Sequence, residues 1–264
     1  LQDHVLKSRI EARSTGTTVI GIKAAELKKV EIDLPALQEQ EKIAAILCSL
    51  DDKIELNNKI NENLEQQVQA IYQEWFGNIN MEKGQGTLAD ICTYSKDRVS
   101  VSELNVSTYF STENMLPGKA GATEASSLPT TTQTTACHVG DTLISNIRPY
   151  FKKIVYCHEE CGCSTDVLCF VPVHPKYSAY LYSTLYADKF FDFMVAGSKG
   201  TKMPRGDKQQ IMTYPMTLPT DTELERFNSV AVPILTQIQN SRNENKRLSL
   251  LRDTLLPKLI SGEI

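Results

Sequence analysis

The chain has 264 residues, 41% of them hydrophobic and 23% charged, with a net charge of -4. That length holds one large domain or two ordinary ones with enough apolar mass for a core, which excludes a disordered tail. The mild acidity excludes a polybasic protein that binds by overall phosphate neutralisation, so any nucleic-acid contact must come from a local patch. No apolar run approaches the roughly 20 residues that span a bilayer, and Leu1, Gln2, Asp3 and His4 do not begin a signal peptide; a cytoplasmic protein is expected.

The opening segment belongs to a long internal repeat. Residues 14–35 lie on residues 198–219 without a gap, matching Ser14 with Ser198, Gly16 with Gly200, Thr17 with Thr201, Leu34 with Leu218 and Pro35 with Pro219. The register continues through Glu39 and Glu223, Glu41 and Glu225, Ile54 and Ile238, Asn61 and Asn245, and Leu64 and Leu248. A period of this length indicates a duplicated domain with its connector rather than a short solenoid repeat. The first copy is the shorter, so residues 1–36 read as the C-terminal remnant of a first globular unit, and the chain as a fragment of a longer protein.

Residues 37–78 read as one long helix. Ile43, Leu47, Leu50, Ile54, Asn57, Asn61, Leu64, Val68, Ile71 and Trp75 recur at alternating spacings of four and three, a coiled-coil seam. Such a helix reaches roughly 60 Å at about 1.5 Å per residue, the length of a spacer or an arm. Gly77 is expected to end it by taking the left-handed conformation.

Residues 79–219 shift towards Thr, Ser, Val, Tyr, Gly and Cys and read as an α+β (mixed α/β) domain. Strands are expected over residues 142–147, 153–156 and 167–171, and a single helix over residues 178–193. Pro117-Gly118, Gly140-Asp141 and Gly162 are the turn signals. Residues 80–219 carry thirteen Lys and Arg against thirteen Asp and Glu, so the placement of charge matters more than its sum. Two basic clusters stand out: Arg148, Lys152 and Lys153 with Tyr150, after Ser145 and Asn146; and Lys199, Lys202, Arg205 and Lys208 in a Gly/Ser/Thr loop opposed by Asp207. Lys, Arg and hydroxyls contact phosphates, and bidentate Arg, Lys, Asn and Gln read base edges. Residues 109–114, which include Asn114, add further hydroxyl and amide donors. Each cluster alone is an ordinary solvated loop; concentration of positive charge in a neutral domain is what marks them.

Residues 220–264 repeat the helical pattern, with Phe227, Ala231, Ile234, Ile238, Ser241, Asn245, Leu248, Arg252, Leu255 and Leu259 on the seam. The two helices are natural partners, and Asn61 and Asn245 at seam positions either fix register or sit on a solvated edge. Pro233 and Pro257 each remove an amide donor and are expected to kink or restart the second helix, leaving residues 234–256 as its longest regular piece.

The seven cysteines are an odd set without a secretory signal and read as reduced thiols. Cys157, His158, Cys161 and Cys163 are spaced closely enough for zinc, but a second, well-spaced pair is missing and Cys169 lies in a strand-like run, so no metal is assigned. Catalytic signatures are also missing. The segment from Gly197 to Lys202 only superficially matches a phosphate-binding loop, residues 146–150 only echo the NPPY-type motif of adenine methyltransferases, and the four histidines are scattered without a nucleophile.

Taken together, the duplicated unit followed by a long helix resembles type I restriction-modification specificity subunits. Residues 34–58 (LPALQEQEKIAAILCSLDDKIELNN) look like the central conserved region of that family, and residues 251–264 (LRDTLLPKLISGEI) like its C-terminal end. GDTLISNIRPYFKK (140–153), CSTDVLCFVP (163–172) and YFSTENM (109–115) are similar to recurrent target-recognition segments, and the resemblance spans essentially the whole chain. It implies a non-catalytic DNA-recognition subunit: each of two target-recognition domains reads half of a bipartite site, and an antiparallel pair of conserved helices sets the spacer. It also implies methyltransferase subunits docked on those helices and carrying S-adenosylmethionine, with restriction subunits that use ATP and Mg; no cofactor is expected on this chain. With most of the first domain missing, one half-site reader, or self-association that rebuilds two readers, is expected. The DNA contacts are expected from Arg148, Tyr150, Lys152, Lys153, Lys199, Lys202 and Arg205, backed by Asn114, Ser145, Asn146 and Thr201, although Gly200 and Thr201 could instead shape the return to the helix. A coiled-coil adaptor without a DNA role, and a methyltransferase or fused restriction enzyme, are the alternatives.

Overall fold

The computed structural model describes residues 4–14, 21–31, 35–77 and 85–261. Gly16, Thr17 and Leu34 of the first repeat copy, and residues 262–264 of the C-terminal motif, lie outside them. The helices are α1 (His4–Glu11), α2 (Ala24–Leu27), α3 (Leu37–Phe76), α4 (Ser178–Tyr186), α5 (Asp188–Ala196), α6 (Lys208–Met212) and α7 (Asp221–Ser261). The strands are β1 (Gln85–Thr87), β2 (Cys92–Tyr94), β3 (Arg98–Ser100), β4 (Tyr109–Phe110), β5 (Gln133–Cys137), β6 (Thr142–Ser145), β7 (Ile154–Tyr156), β8 (Cys161–Cys163), β9 (Val167–Pro172) and β10 (Pro215–Thr217). The chain forms two compact units, one of Leu1–Asn61 with Asn240–Ile264 and one of Glu62–Gln239. No helix among the described residues is long and apolar enough to cross a membrane.

In the first unit α3 and α7 run antiparallel, as their cross-links show. Arg252 bonds Asp51 at 2.7 Å, whereas Asn245, earlier in α7, meets Asn57, later in α3. Ile43, Leu47, Leu50 and Ile54 are half-buried on one side, as are Leu248 and Leu255, while Ile46, Leu56 and Ile60 face outwards. This is the one-sided burial that the four-three spacing produces on a helix. The repeat equates Asn61 with Asn245, but an antiparallel pairing does not bring equivalent residues together. Asn57, 2% exposed, donates to Asn245 Oδ1 at 2.8 Å and to Glu244 at 2.7 Å, and Asn245 donates in turn to Asn58. Asn61 is buried with its Oδ1 unpartnered.

Three expectations about helix boundaries are corrected. Helix α7 continues unbroken through Pro233 and Pro257. Both prolines lie on the exposed side, where the carbonyl left without its amide partner can be hydrated, so the lost bond does not break the helix. Gly77 closes α3 without a left-handed φ; it is needed for space, because a Cβ there would lie 2.4 Å from the Gln73 carbonyl oxygen. The helix expected over residues 178–193 is two helices, broken at Ala187, whose backbone is extended. An unbroken helix would stack Lys189 one turn from buried Leu185. The break turns Lys189 outwards and brings Phe190, Phe191 and Met194 into the core.

The second unit is built on two four-stranded sheets, ordered β2-β9-β6-β7 and β3-β5-β8-β4, with β1 and β10 as a short ribbon. Among the described residues the strand pairings of this unit are antiparallel except β4 with β8. Gly162, expected in a turn, sits within β8, where a Cβ would meet Leu104 at 2.6 Å and Thr134 at 2.8 Å. Gly140 does make a turn, with φ of +93°. Within this unit the last turns of α3 pack in an aromatic cluster: Phe76 lies on Tyr180 at 4.9 Å and on Phe227 at 5.6 Å, and Tyr72 on Tyr180 at 5.6 Å.

A second core collects Met115, Leu143, Val155 and Val167 with Cys137, Cys157, Cys161, Cys163 and Cys169. All seven cysteines are free thiols. Cys157 and Cys161 approach to 3.6 Å between sulfurs, while His158 packs its ring on Tyr156 at 4.8 Å. No group of three or more His, Cys, Asp or Glu among the described residues is arranged to hold a metal ion.

Candidate nucleic-acid interface

The two basic clusters, some fifty residues apart in sequence, are joined by main-chain bonds. After β6 the chain makes a bridge between Ile147 and Arg205; the Arg148 amide donates to the Pro204 carbonyl at 2.8 Å and the Gly206 amide to the Asn146 carbonyl at 3.2 Å. The second loop closes on itself, Lys199 and Arg205 exchanging both of their amide-carbonyl bonds at 2.9 Å. Gly200 permits this closure with φ of +100°, a region costly for residues that carry a Cβ.

A third loop, which the sequence reading did not single out as basic, joins the first. Residues 115–122 form a hairpin with Met115 bridged to Ala122, and its tip residues Gly118 and Lys119 both have positive φ, the pattern of a primed turn. The Gly118 amide donates to the Phe151 carbonyl and that of Lys119 to the Lys152 carbonyl, at 2.8 and 2.9 Å. Both Lys119 and Lys152 reach one carboxylate oxygen of Asp188, at 2.8 and 2.7 Å. The hydrogen bonds of these two ammonium groups hold the Asp188 carboxyl down to about 2. Pro117-Gly118 predicted the turn, but the convergence on Asp188 depends on the break before α5.

The remaining candidates divide by exposure. Asn114 and Ser145 are buried and engaged within the fold: Asn114 accepts from the Ser111 amide at 2.6 Å and donates to the carbonyls of Tyr109 and Thr123 at 2.9 Å, and Ser145 donates to the Ile147 carbonyl. These two hold loops in place and offer little to a ligand. Asn146 is also buried, but its Oδ1 has no partner, and neither has Nε of half-buried Arg148. Lys153 donates to the Thr112 carbonyl, and burial holds its ammonium below the usual lysine range. Lys199 pairs with Asp207, which is held below the usual carboxylate range by that bond and caps α6. Arg205 pairs with Asp166 at 3.0 Å. Thr201 and Lys202 are exposed, as are Tyr150, Phe151 and Met203.

The linked loops thus bring Lys119, Arg148, Lys152, Lys153, Lys199, Lys202 and Arg205 together against three paired carboxylates, Asp166, Asp188 and Asp207. Beside them lies a polar cleft lined by Ser111, Glu113, Glu124, Ser164 and Asp166 among others. The surface can offer cations to phosphates, guanidinium forks and carboxylates to base edges, and aromatic faces to bases.

Comparison with known proteins finds similarity to specificity subunits of type I restriction enzymes. The sequence pattern described as "Type I restriction modification DNA specificity domain" matches residues 4–66. The MjaIX type I restriction enzyme specificity subunit of Methanocaldococcus jannaschii is 24% identical across 95% of the chain. Residues 4–66 thus match that domain, and the chain as a whole is similar to a type I restriction enzyme specificity subunit. It spans 64% of the length of that relative. A second specificity subunit, HindI of Haemophilus influenzae, is 40% identical over 65 residues, covering 25% of this chain and 14% of the relative. The crystal structure of the type I restriction-modification S subunit from M. genitalium shares the fold of this chain, with a TM-score of 0.51 at 19% identity, covering 96% of this chain and 69% of that one.

Proposed function

We propose that this chain reads DNA sequence for a type I restriction-modification complex, with the linked loops of its second unit contacting one half of a bipartite site. The observation that carries this reading is the main-chain pairing of residues 146–148 with residues 204–206. It converts two separate basic loops of a charge-balanced domain into one cationic surface. Lys202 and Lys199 act as phosphate contacts; Arg148 and Arg205 are the side chains suited to bidentate base contacts once DNA competes for them. The antiparallel segments of α3 and α7 serve as spacer and as docking surface for methyltransferase subunits, which supply S-adenosylmethionine, while restriction subunits supply the ATP- and Mg-dependent work. The chain performs no chemistry of its own in this reading and works in the cytoplasm.

Selection from a randomised duplex library at fixed salt, with and without the methyltransferase partner, tests this function. Enrichment of one short motif is the expected result, and two spaced motifs would indicate a second reader contributed by another copy. If no sequence is enriched even with the partner present, the DNA-reading role fails and an adaptor role for the helices is left.

A further inference from the structure

The residues other than glycine that adopt positive φ among the described residues are Lys119, Arg148 and Lys152, at 65°, 51° and 51°. All three are basic, and all three meet at one place. Arg148 and Lys152 bracket the tight 3-10 turn Pro149–Phe151, and Lys119 clamps that turn from the neighbouring hairpin. Left-handed backbone is strained for a residue with a Cβ and persists only where the surroundings over-determine it. Here five main-chain bonds do so: Gly118 to Phe151, Lys119 to Lys152, Arg148 to Pro204, and the turn's own bonds from Phe151 to Arg148 and from Lys152 to Pro149.

What this scaffold presents is an apolar tip. Pro149 is buried as its base, while Tyr150 and Phe151 are 50% and 39% exposed. Their rings back one another at 4.8 Å, and the Lys153 ammonium lies 5.9 Å from the Phe151 ring centre. A surface turn selected only for solubility would not hold two aromatic rings in water on strained backbone. A rigid aromatic tip ringed by cations has the chemistry of a wedge: the cations draw it to the phosphates, and the ring gains by stacking on unstacked bases.

We propose that the Pro149–Phe151 turn is a DNA-deforming wedge in which Tyr150, supported by Phe151, inserts at a base-pair step of the recognised half-site. The proposal rests on the DNA-reading function above and adds to it that part of the specificity is read as deformability of the step, not as base-edge hydrogen bonds. Cationic residues at 119, 148 and 152 serve both to shape the turn and to hold the backbone on either side of it.

The test uses the whole chain with its methyltransferase partner and the duplex that it selects, carrying 2-aminopurine at each position of the motif in turn. Wild type is expected to raise the fluorescence at one step and to bind more tightly when that step carries a mismatch, because unstacking is then already done. Tyr150→Ala should abolish the rise, remove the mismatch preference and weaken binding about 10-fold, the scale of one lost stacking contact, while Tyr150→Phe retains all three. Far-ultraviolet circular dichroism confirms that the Ala variant, altered at a half-exposed ring, is folded. A selected duplex with no fluorescent step, or a Tyr150→Ala protein that behaves as wild type, overturns the wedge and leaves DNA reading intact. Failure of wild type to select any duplex overturns both.

Discussion

Single side chains in the second unit divide into those that hold the loops and those that the loops display. Asn114 belongs to the first kind, its amide bonded to three main-chain groups in a buried site. Asn114→Ala strands those groups and is expected to cost about 2–3 kcal/mol in urea unfolding. Lys202→Ala, at an exposed loop position, should leave stability within about 0.5 kcal/mol. Asp188 gives a pH signature. Its carboxyl is held down to about 2 by Lys119 and Lys152, so the stabilisation from this pairing is fully present above the ordinary carboxylate range and is lost as pH falls through about 2. The stability difference between wild type and Asp188→Asn is therefore expected to be constant near neutrality and to vanish in strong acid. Because the Asp188 side chain is 66% exposed, screening limits its size to about 1 kcal/mol or less. Lys152→Gly separates strain from function. Relief of the left-handed φ offsets the lost ion pair, so stability should hold or rise by up to about 1 kcal/mol, while DNA affinity falls.

Among the elements, the two long helices show how far context overrides local preference. Pro233 is tolerated in α7 because it faces water, yet it still withholds one helix bond. Pro233→Ala is expected to raise thermal stability, by about 1–2 kcal/mol after allowing for the more flexible unfolded chain; a decrease would show that the proline shapes the helix path. Phe227 is the junction of the aromatic cluster, packed on Tyr72, Trp75, Phe76 and Tyr180, with 0% exposure. Phe227→Ala should cost about 3–5 kcal/mol, the range for emptying a buried aromatic site, and the denaturation midpoint reads it directly. The polar layer of Asn57, Asn58, Asn245 and Glu244 lies within the helix pair. It offers a means of fixing register that apolar seam residues alone would not supply.

For the molecule as a whole, charge is informative only after folding. The chain carries -4 overall, yet three loops collect seven cations against three carboxylates. Binding to the selected duplex should therefore fall steeply with salt, and Lys202→Ala should make the slope of log K against log salt shallower by about 0.9, the share of one phosphate contact. An unchanged slope would remove Lys202 from the contact set. Residue order alone is enough for the long helices, through apolar residues at spacings of four and three, for the duplicated register, and for the strands around residues 142–171, because these patterns are local and periodic. It also marked Arg148, Lys152, Lys199 and Arg205 by their density in a neutral segment. Folding is what makes the two loops one surface, brings Lys119 and Asp188 to it, engages Asn114 and Ser145 inside the fold, and sets Asn245 against Asn57 in place of its repeat partner. Those facts rest on contacts between residues far apart in sequence and on backbone φ at single positions, and neither leaves a periodic trace in the order of amino acids.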